Sequence, residues 1–198
     1  MNRILRLLLP LFAGASIGAH AAPPQPADAV IASITQQVLA HSADRGSTGN
    51  AAELKAFIES TVMPNLDFRA MTARAVGPRW RSATEAQRTR LMAGFEALLV
   101  KTYEGAFEQA AGAAFRMKQT ITIDASTAEV HSEVVARGGH DPIALGYRLA
   151  LQDDRWRIVD ISVMGVWLVP TYQTQFAEVI AGTGGIDGLV QALEAKAR

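Results

Sequence analysis

The sequence predicts an α+β fold in which helices flank one antiparallel sheet of four strands. Three observations carry that prediction. Apolar residues recur with a helical period up to about residue 110, alternate with a period of two over about 114–164, and return to the helical period over about 167–196. Short turns join the four alternating runs, which suits an antiparallel meander and leaves no room for the crossovers of a parallel sheet.

The elements follow in order. Pro23-Pro24-Gln25-Pro26 is an extended leader to a helix that begins near Asp28 and carries the stripe Val30, Ile31, Ile34 and Val38. Residues 41–50, rich in Ser and Gly, read as a loop. A second helix is expected over about 51–62, with Leu54, Phe57 and Ile58 inward and Pro64 ending it. Residues 66–76 form a third, stopped by Gly77-Pro78. Thr84 and Gln87 then make a capping box, in which hydroxyl and amide each meet an orphan backbone N–H. The helix they start carries Leu91, Phe95, Leu98, Leu99, Thr102 and Ala106 on one face, flanked by Tyr103 and Phe107.

Strict alternation assigns one face of each strand. Phe115, Met117, Ile121 and Ile123 share the first, and Ala128, Val130, Ser132 and Val134 the second. Ile143, Leu145, Tyr147, Leu149 and Leu151 share the third, while the run 156–163 is apolar on both sides. Asp124-Ala125-Ser126, Gly138-Gly139 and Asp153-Asp154 supply the turns. A helix bearing Leu168, Tyr172, Phe176, Val179 and Ile180 follows. The glycines of 182–185 break it, and a last helix holds Ile186, Leu189, Val190 and Leu193.

The N-terminus predicts export. Arg3 and Arg6 precede an uncharged run over 7–19, and Ala19-His20-Ala21 places small residues where a signal peptidase needs them. Cleavage is expected after Ala21, leaving 22–198 as one domain free outside the cytoplasm. The chain has 19 basic and 19 acidic residues, and loss of Arg3 and Arg6 shifts the net charge to about −2. That balance gives no nucleic-acid or polybasic membrane signature. With no cysteine, a lipidated Cys, disulfides and thiolate metal sites are excluded.

Catalytic motifs are sparse. His41 and His140 fall in expected loops and His131 on the polar side of a strand; no G-x-S-x-G elbow and no H-E-x-x-H helix exists. No metal site and no cofactor is expected. One enzymatic reading stays open: Asp160 lies in the most apolar strand, where burial raises a carboxylate's pKa and suits it as a general base. The alternative is that Asp160 accepts backbone hydrogen bonds or pairs with an arginine. Its orientation, into a cavity or away from one, separates the two. What the sequence offers in abundance is apolar surface converging from the long helix and the strands, the material of an enclosure for an apolar ligand.

Several motifs jointly resemble the MlaC family of periplasmic phospholipid-binding, or toluene-tolerance, proteins. They are Pro64-Asn65-Leu66-Asp67-Phe68, Gly77-Pro78-Arg79-Trp80-Arg81-Ser82-Ala83-Thr84, Gln87-Arg88, Phe95 and Leu99-Val100-Lys101-Thr102-Tyr103. In the second half Trp156-Arg157-Ile158-Val159-Asp160, Gly165-Val166, Tyr172, Phe176 and Gly185-Ile186-Asp187-Gly188-Leu189 keep the family's order, so the likeness spans about 27–193. The resemblance implies an NTF2-like, cystatin-type sheet packed on the long helix, with a helical annex around a deep apolar cavity for acyl chains. It implies a carrier rather than an enzyme, no cofactor, and a diacyl phospholipid ligand. It implies as partners an outer-membrane lipoprotein complex and an inner-membrane ABC transporter bearing an MCE protein. A hopanoid or other apolar lipid is the alternative cargo.

The expected lipid contacts are Phe95, Leu99 and Tyr103 from the helix and Ile121, Val134, Tyr147 and Leu149 from the sheet. Val163, Val166, Trp167 and Tyr172 are expected to close the end. Trp167 stands where the family usually has serine, and Thr171 and Gln173 replace its usual asparagine and arginine. These exchanges add bulk and remove a cation at the expected cavity mouth.

Overall fold

The computed structural model describes residues 25–45, 51–109, 112–135, 141–182 and 184–197. The expected leader at 1–21, the Gly138-Gly139 turn and His140 lie outside these residues.

The first helix, α1 (Ala27–Arg45), runs through the positions expected to open a loop at 41. A short helix α2 (Ala51–Phe57) continues as a π-helical turn (Ile58–Val62) and a 3-10 turn (Met63–Asn65) that carries Pro64 at its start. Next come α3 (Phe68–Val76), a 3-10 segment (Gly77–Ser82) and α4 (Glu85–Gln109). The expected capping box is formed: Thr84 N–H donates to Gln87 Oε1 at 2.9 Å, and Gln87 N–H to Thr84 Oγ1 at 3.2 Å.

The sheet is an antiparallel meander of five strands, β1 (Ala114–Asp124), β2 (Thr127–Val135), β3 (Ile143–Gln152), β4 (Arg155–Val163) and β5 (Val166–Trp167). Four were expected. The fifth is the pair of residues that returns from β4 through a Met164-Gly165 turn, both at positive φ, before α5 (Leu168–Gly182) and α6 (Ile186–Ala197). Such mirror-image turns match the strand twist.

Register irregularities in β1 and β4 decide which side chains share a face. In β1 the register jumps at Lys118, so Met117 pairs with Ser132 but Ile121 pairs with Glu129 and Thr120 with Val130. A one-residue bulge flips every later side chain. Ile121 therefore does not follow Phe115 and Met117 onto the inner face, and Ile123 falls at a further register shift between Thr122 and Asp124; both are exposed. In β4 a bulge sets Leu149 opposite Ile158 while Arg148 faces Asp160. This explains why that strand reads as apolar on both sides: Ile158 and Ile161 turn inward, whereas Asp160 and Ser162 join the opposite face.

Helix α1, not the long α4, lies on the inner face of the sheet. Ala27, Ile31 and Ile34 pack with Ala128, Val130, Leu149 and Ile158. A separate helical core joins α3, α4, α5 and α6 through Phe68, Met71, Leu91, Phe95, Phe176 and Leu193. Asp67 fastens the two halves. Its Oδ1 caps α3 by accepting from Ala70 N–H at 2.9 Å, its Oδ2 accepts from Gln152 at 2.9 Å, and its own N–H donates to the Ile158 carbonyl at 2.9 Å.

Candidate ligand-binding cavity

The two cores are bridged by Leu66 and Ile161 but do not close on each other. Between them lies a cavity of about 270 Å³. Helix α1 contributes Ile31, Ile34, Thr35, Val38 and Leu39, and the π and 3-10 turns add Ile58, Val62 and Met63. From α4 come Glu96, Leu99, Val100, Tyr103 and Ala106, and from the sheet Val134, Ile143, Leu145, Tyr147, Ile158, Ile161 and Val163. Leu66, Phe68 and Leu168 complete the wall. Ala106 is exposed, so the wall reaches solvent near the C-terminal end of α4.

The α4 contribution has a simple cause. Positions 96, 99, 100, 103 and 106 form one helical stripe, and 91, 95 and 98 form a neighbouring one. The second stripe is spent on the helical core. Phe95 is fully buried there, its ring 5.6 Å from Phe68, 4.9 Å from Tyr172 and 5.2 Å from Phe176. Leu99 and Tyr103 of the first stripe touch the edge of that core, and the stripe as a whole lines the cavity.

Of the eleven residues the sequence nominated, Leu99, Tyr103, Val134, Tyr147 and Val163 line the cavity. The other six do not. Phe95 and Tyr172 belong to the aromatic cluster, and Leu149 is buried under α1. Ile121 is turned outward by the Lys118 bulge, and Val166 is exposed beyond the β4–β5 turn. Trp167 lies on the outer side of the sheet, where the Arg148 guanidinium stacks 3.9 Å from its ring centre. It does not narrow a mouth: its ring covers Gly146, where an added Cβ would meet Trp167 at 3.3 Å and Ser162 Oγ at 3.0 Å. Sequence reasoning missed the α1 stripe and the π turn as cavity walls, and it missed Glu96 and Val100. The spacing of the first α4 stripe was the signal for those last two.

Polar groups in the wall are few. Burial pushes the Tyr147 phenol up from its usual range, opposed by the Ser132 and Thr35 hydroxyls beside it. Ser132 Oγ is itself buried without a hydrogen bond of ordinary geometry. Burial likewise raises the Tyr103 phenol. Among the described residues Glu96 is the one charged member of the lining; burial lifts its carboxyl above the ordinary glutamate range, against the attraction of Lys55. Among the described residues no cluster of His, Asp and Glu is placed to hold a metal ion.

Asp160 is engaged elsewhere. Oδ1 accepts from Ile161 N–H at 2.9 Å and from Val169 N–H at 3.0 Å, which caps the start of α5. Oδ2 lies 3.7 Å from Arg148 Nη1. Burial raises its pKa, and these bonds and the arginine pull it back down. Its register partner Arg148 stands on the outer face with Glu129, Nε to Oε2 at 3.2 Å, so the carboxylate points away from the cavity.

The comparisons agree with this architecture. A phospholipid-binding protein from Ralstonia solanacearum, solved in complex with a phospholipid, superposes with a TM-score of 0.81 at 32% identity. The match covers 87% of this chain and 97% of that one. The family model described as MlaC protein matches residues 32–195. With the motifs, the fold and most of the chain in accord, this protein belongs to the MlaC family.

Proposed function

We propose that this protein is a periplasmic carrier that holds the acyl chains of a phospholipid in the cavity between α4 and the sheet. The carrier passes its lipid between an outer-membrane lipoprotein complex and an inner-membrane ABC transporter with an MCE subunit. The observation behind this reading is the apolar cavity, in which one helical stripe of α4 faces inner-face residues of the sheet across unfilled space. The phospholipid bound to the Ralstonia relative supports the ligand class. The NTF2-like assignment, with α1 on the concave side of the sheet, belongs to the same reading, as does removal of 1–21 on export. Among the described residues no helix is long and apolar enough to cross a membrane.

The energetics suit the task. Two acyl chains carry roughly thirty methylenes, and at about 0.8 kcal/mol each their exposure costs on the order of 20 kcal/mol. A shuttle must shield that surface and still release it. A wall of aliphatic side chains with few polar anchors competes with a bilayer without far outdoing it. No catalytic role is assigned, because the carboxylate proposed as a base is committed to the α5 cap.

The test is direct. The full-length chain is expressed in a Gram-negative host, recovered from the periplasm, extracted with chloroform and analysed by mass spectrometry. The proposal expects about one diacyl phospholipid per protein and an N-terminus at Ala22. Protein that stays in the cytoplasm, or that reaches the periplasm and carries no lipid, overturns it.

A further inference from the structure

Glu96 is the anomaly of the cavity. Among the described residues every other member of the lining is apolar or carries at most a hydroxyl, yet here a carboxyl group shares the stripe of Leu99 and Val100. Its Oε1 is buried and has no hydrogen-bond partner. A buried polar atom left unmet costs about 1–3 kcal/mol, so one retained inside a binding cavity points to a partner that arrives with the ligand. The nearest charged groups come from α2 and the π turn. Lys55 attracts Glu96 and Glu59 repels it, but the Lys55 ammonium forms its ion pair with Glu59.

The identity of the missing partner follows from what the site can accept. A carboxyl group accepts a hydrogen bond from a hydroxyl whether or not it carries its own proton. A ketone or ester oxygen would be met by the protonated form alone, and an anionic headgroup would be repelled by the ionised one. An ammonium would have to be stripped of water against an aliphatic wall, and the protein's own ammonium, close by, is engaged with Glu59 instead. Depth narrows the choice further. Glu96 precedes the exposed Ala106 by ten residues, about 15 Å along α4 at 1.5 Å per residue. A chain entering from that end would present its tenth to twelfth carbon or so to Glu96.

We propose that Glu96 is a recognition site for a hydroxyl group borne on the lipid's hydrocarbon portion, well below the headgroup. The site deepens the lipid-carrier reading and rests on it. Glu96 thereby makes the cavity selective among lipids whose headgroups are identical. A plain chain leaves Oε1 unmet, and a hydroxylated one satisfies it.

The experiment offers purified protein, stripped of lipid, vesicles containing equal amounts of two phosphatidylcholines, one with stearoyl and one with 12-hydroxystearoyl chains. Native mass spectrometry then reads the loaded ratio. Wild type is expected to favour the hydroxylated lipid about tenfold, the worth of one hydrogen bond to a carboxyl group. Glu96→Leu should bring the ratio to about one. Glu96→Gln, which keeps an acceptor and nearly the same shape, should retain part of the preference and guards against a folding defect in the leucine variant. Equal ratios in wild type and Glu96→Leu overturn the proposal and leave Glu96 to be met by water. Loading of neither lipid by wild type overturns the carrier reading as well, so the two failures are told apart.

Discussion

Leu99 and Phe95 stand four residues apart on one helix and serve different neighbours. Phe95 fills the aromatic cluster with Phe68, Tyr172 and Phe176, while Leu99 borders the cavity. Both were legible as inward-facing; which of two apolar stripes meets packed helices was not, because that depends on where α3, α5 and α6 come to rest. Asp160 shows the reverse. Its burial, and the choice between backbone bonds and an arginine, were readable from its strand, and the structure supplies both. Asp160→Ala strands the Val169 N–H at the start of α5 and should cost about 1–3 kcal/mol in urea unfolding, with lipid loading unchanged. Asp160→Asn keeps an accepting oxygen and should cost less. Loss of loading in a folded Asp160→Asn protein would contradict the cap. Glu96 yields a pH prediction. Its pKa is raised on folding, so the folded chain holds the proton more tightly, and the stability tied to that proton is lost as pH rises past the ordinary glutamate range. Melting temperatures of wild type and Glu96→Gln should be close near pH 4. Above the raised pKa the variant should be the more stable, and a gap independent of pH would refute the assignment.

At the scale of elements, the period change from 3.6 to 2 located every long strand and helix, and the capping box fixed the start of α4. What alternation could not reveal were the bulges in β1 and β4. A bulge inserts one residue without changing composition, so the pattern Phe115, Met117, Ile121, Ile123 reads as one face although Lys118 divides it. Continuation of α1 to Arg45 and the π turn after α2 were equally hidden, since both depend on tertiary packing rather than on propensity. The close crossing of α4 and α6 carries its own prediction. A Cβ on Gly94 would stand 2.8 Å from Leu193 Cβ and 3.7 Å from its backbone carbon, and Leu193 is buried. Alanine gains about 1 kcal/mol in helix propensity over glycine, but overpacking such a contact costs about 1–3 kcal/mol. Gly94→Ala should therefore lower the urea midpoint without altering the slope of the transition. A raised midpoint would mean that α6 yields easily.

At the scale of the whole molecule, the chain builds two cores where a protein of this size ordinarily needs one. The helical core and the α1–sheet core share Leu66 and Ile161, are fastened through Asp67, and border the cavity from either side. The family, the α+β order and the apolar enclosure could be read from the sequence, whereas the seam could not, because an unfilled volume has no residue of its own. A single side chain can fill that seam. Leu99→Trp projects an indole into it, and overpacking a ligand cavity strains the protein far less than overpacking a solid core. The deciding measurement is native mass spectrometry of periplasmic wild type and Leu99→Trp, paired with thermal melts. A lipid-filled seam predicts wild type carrying diacyl lipid and the variant carrying little, with both melting cooperatively within a few degrees of each other. A wild type that carries nothing while Leu99→Trp unfolds would show the seam to be ordinary core, and a variant that loads as much lipid as wild type would place the ligand elsewhere.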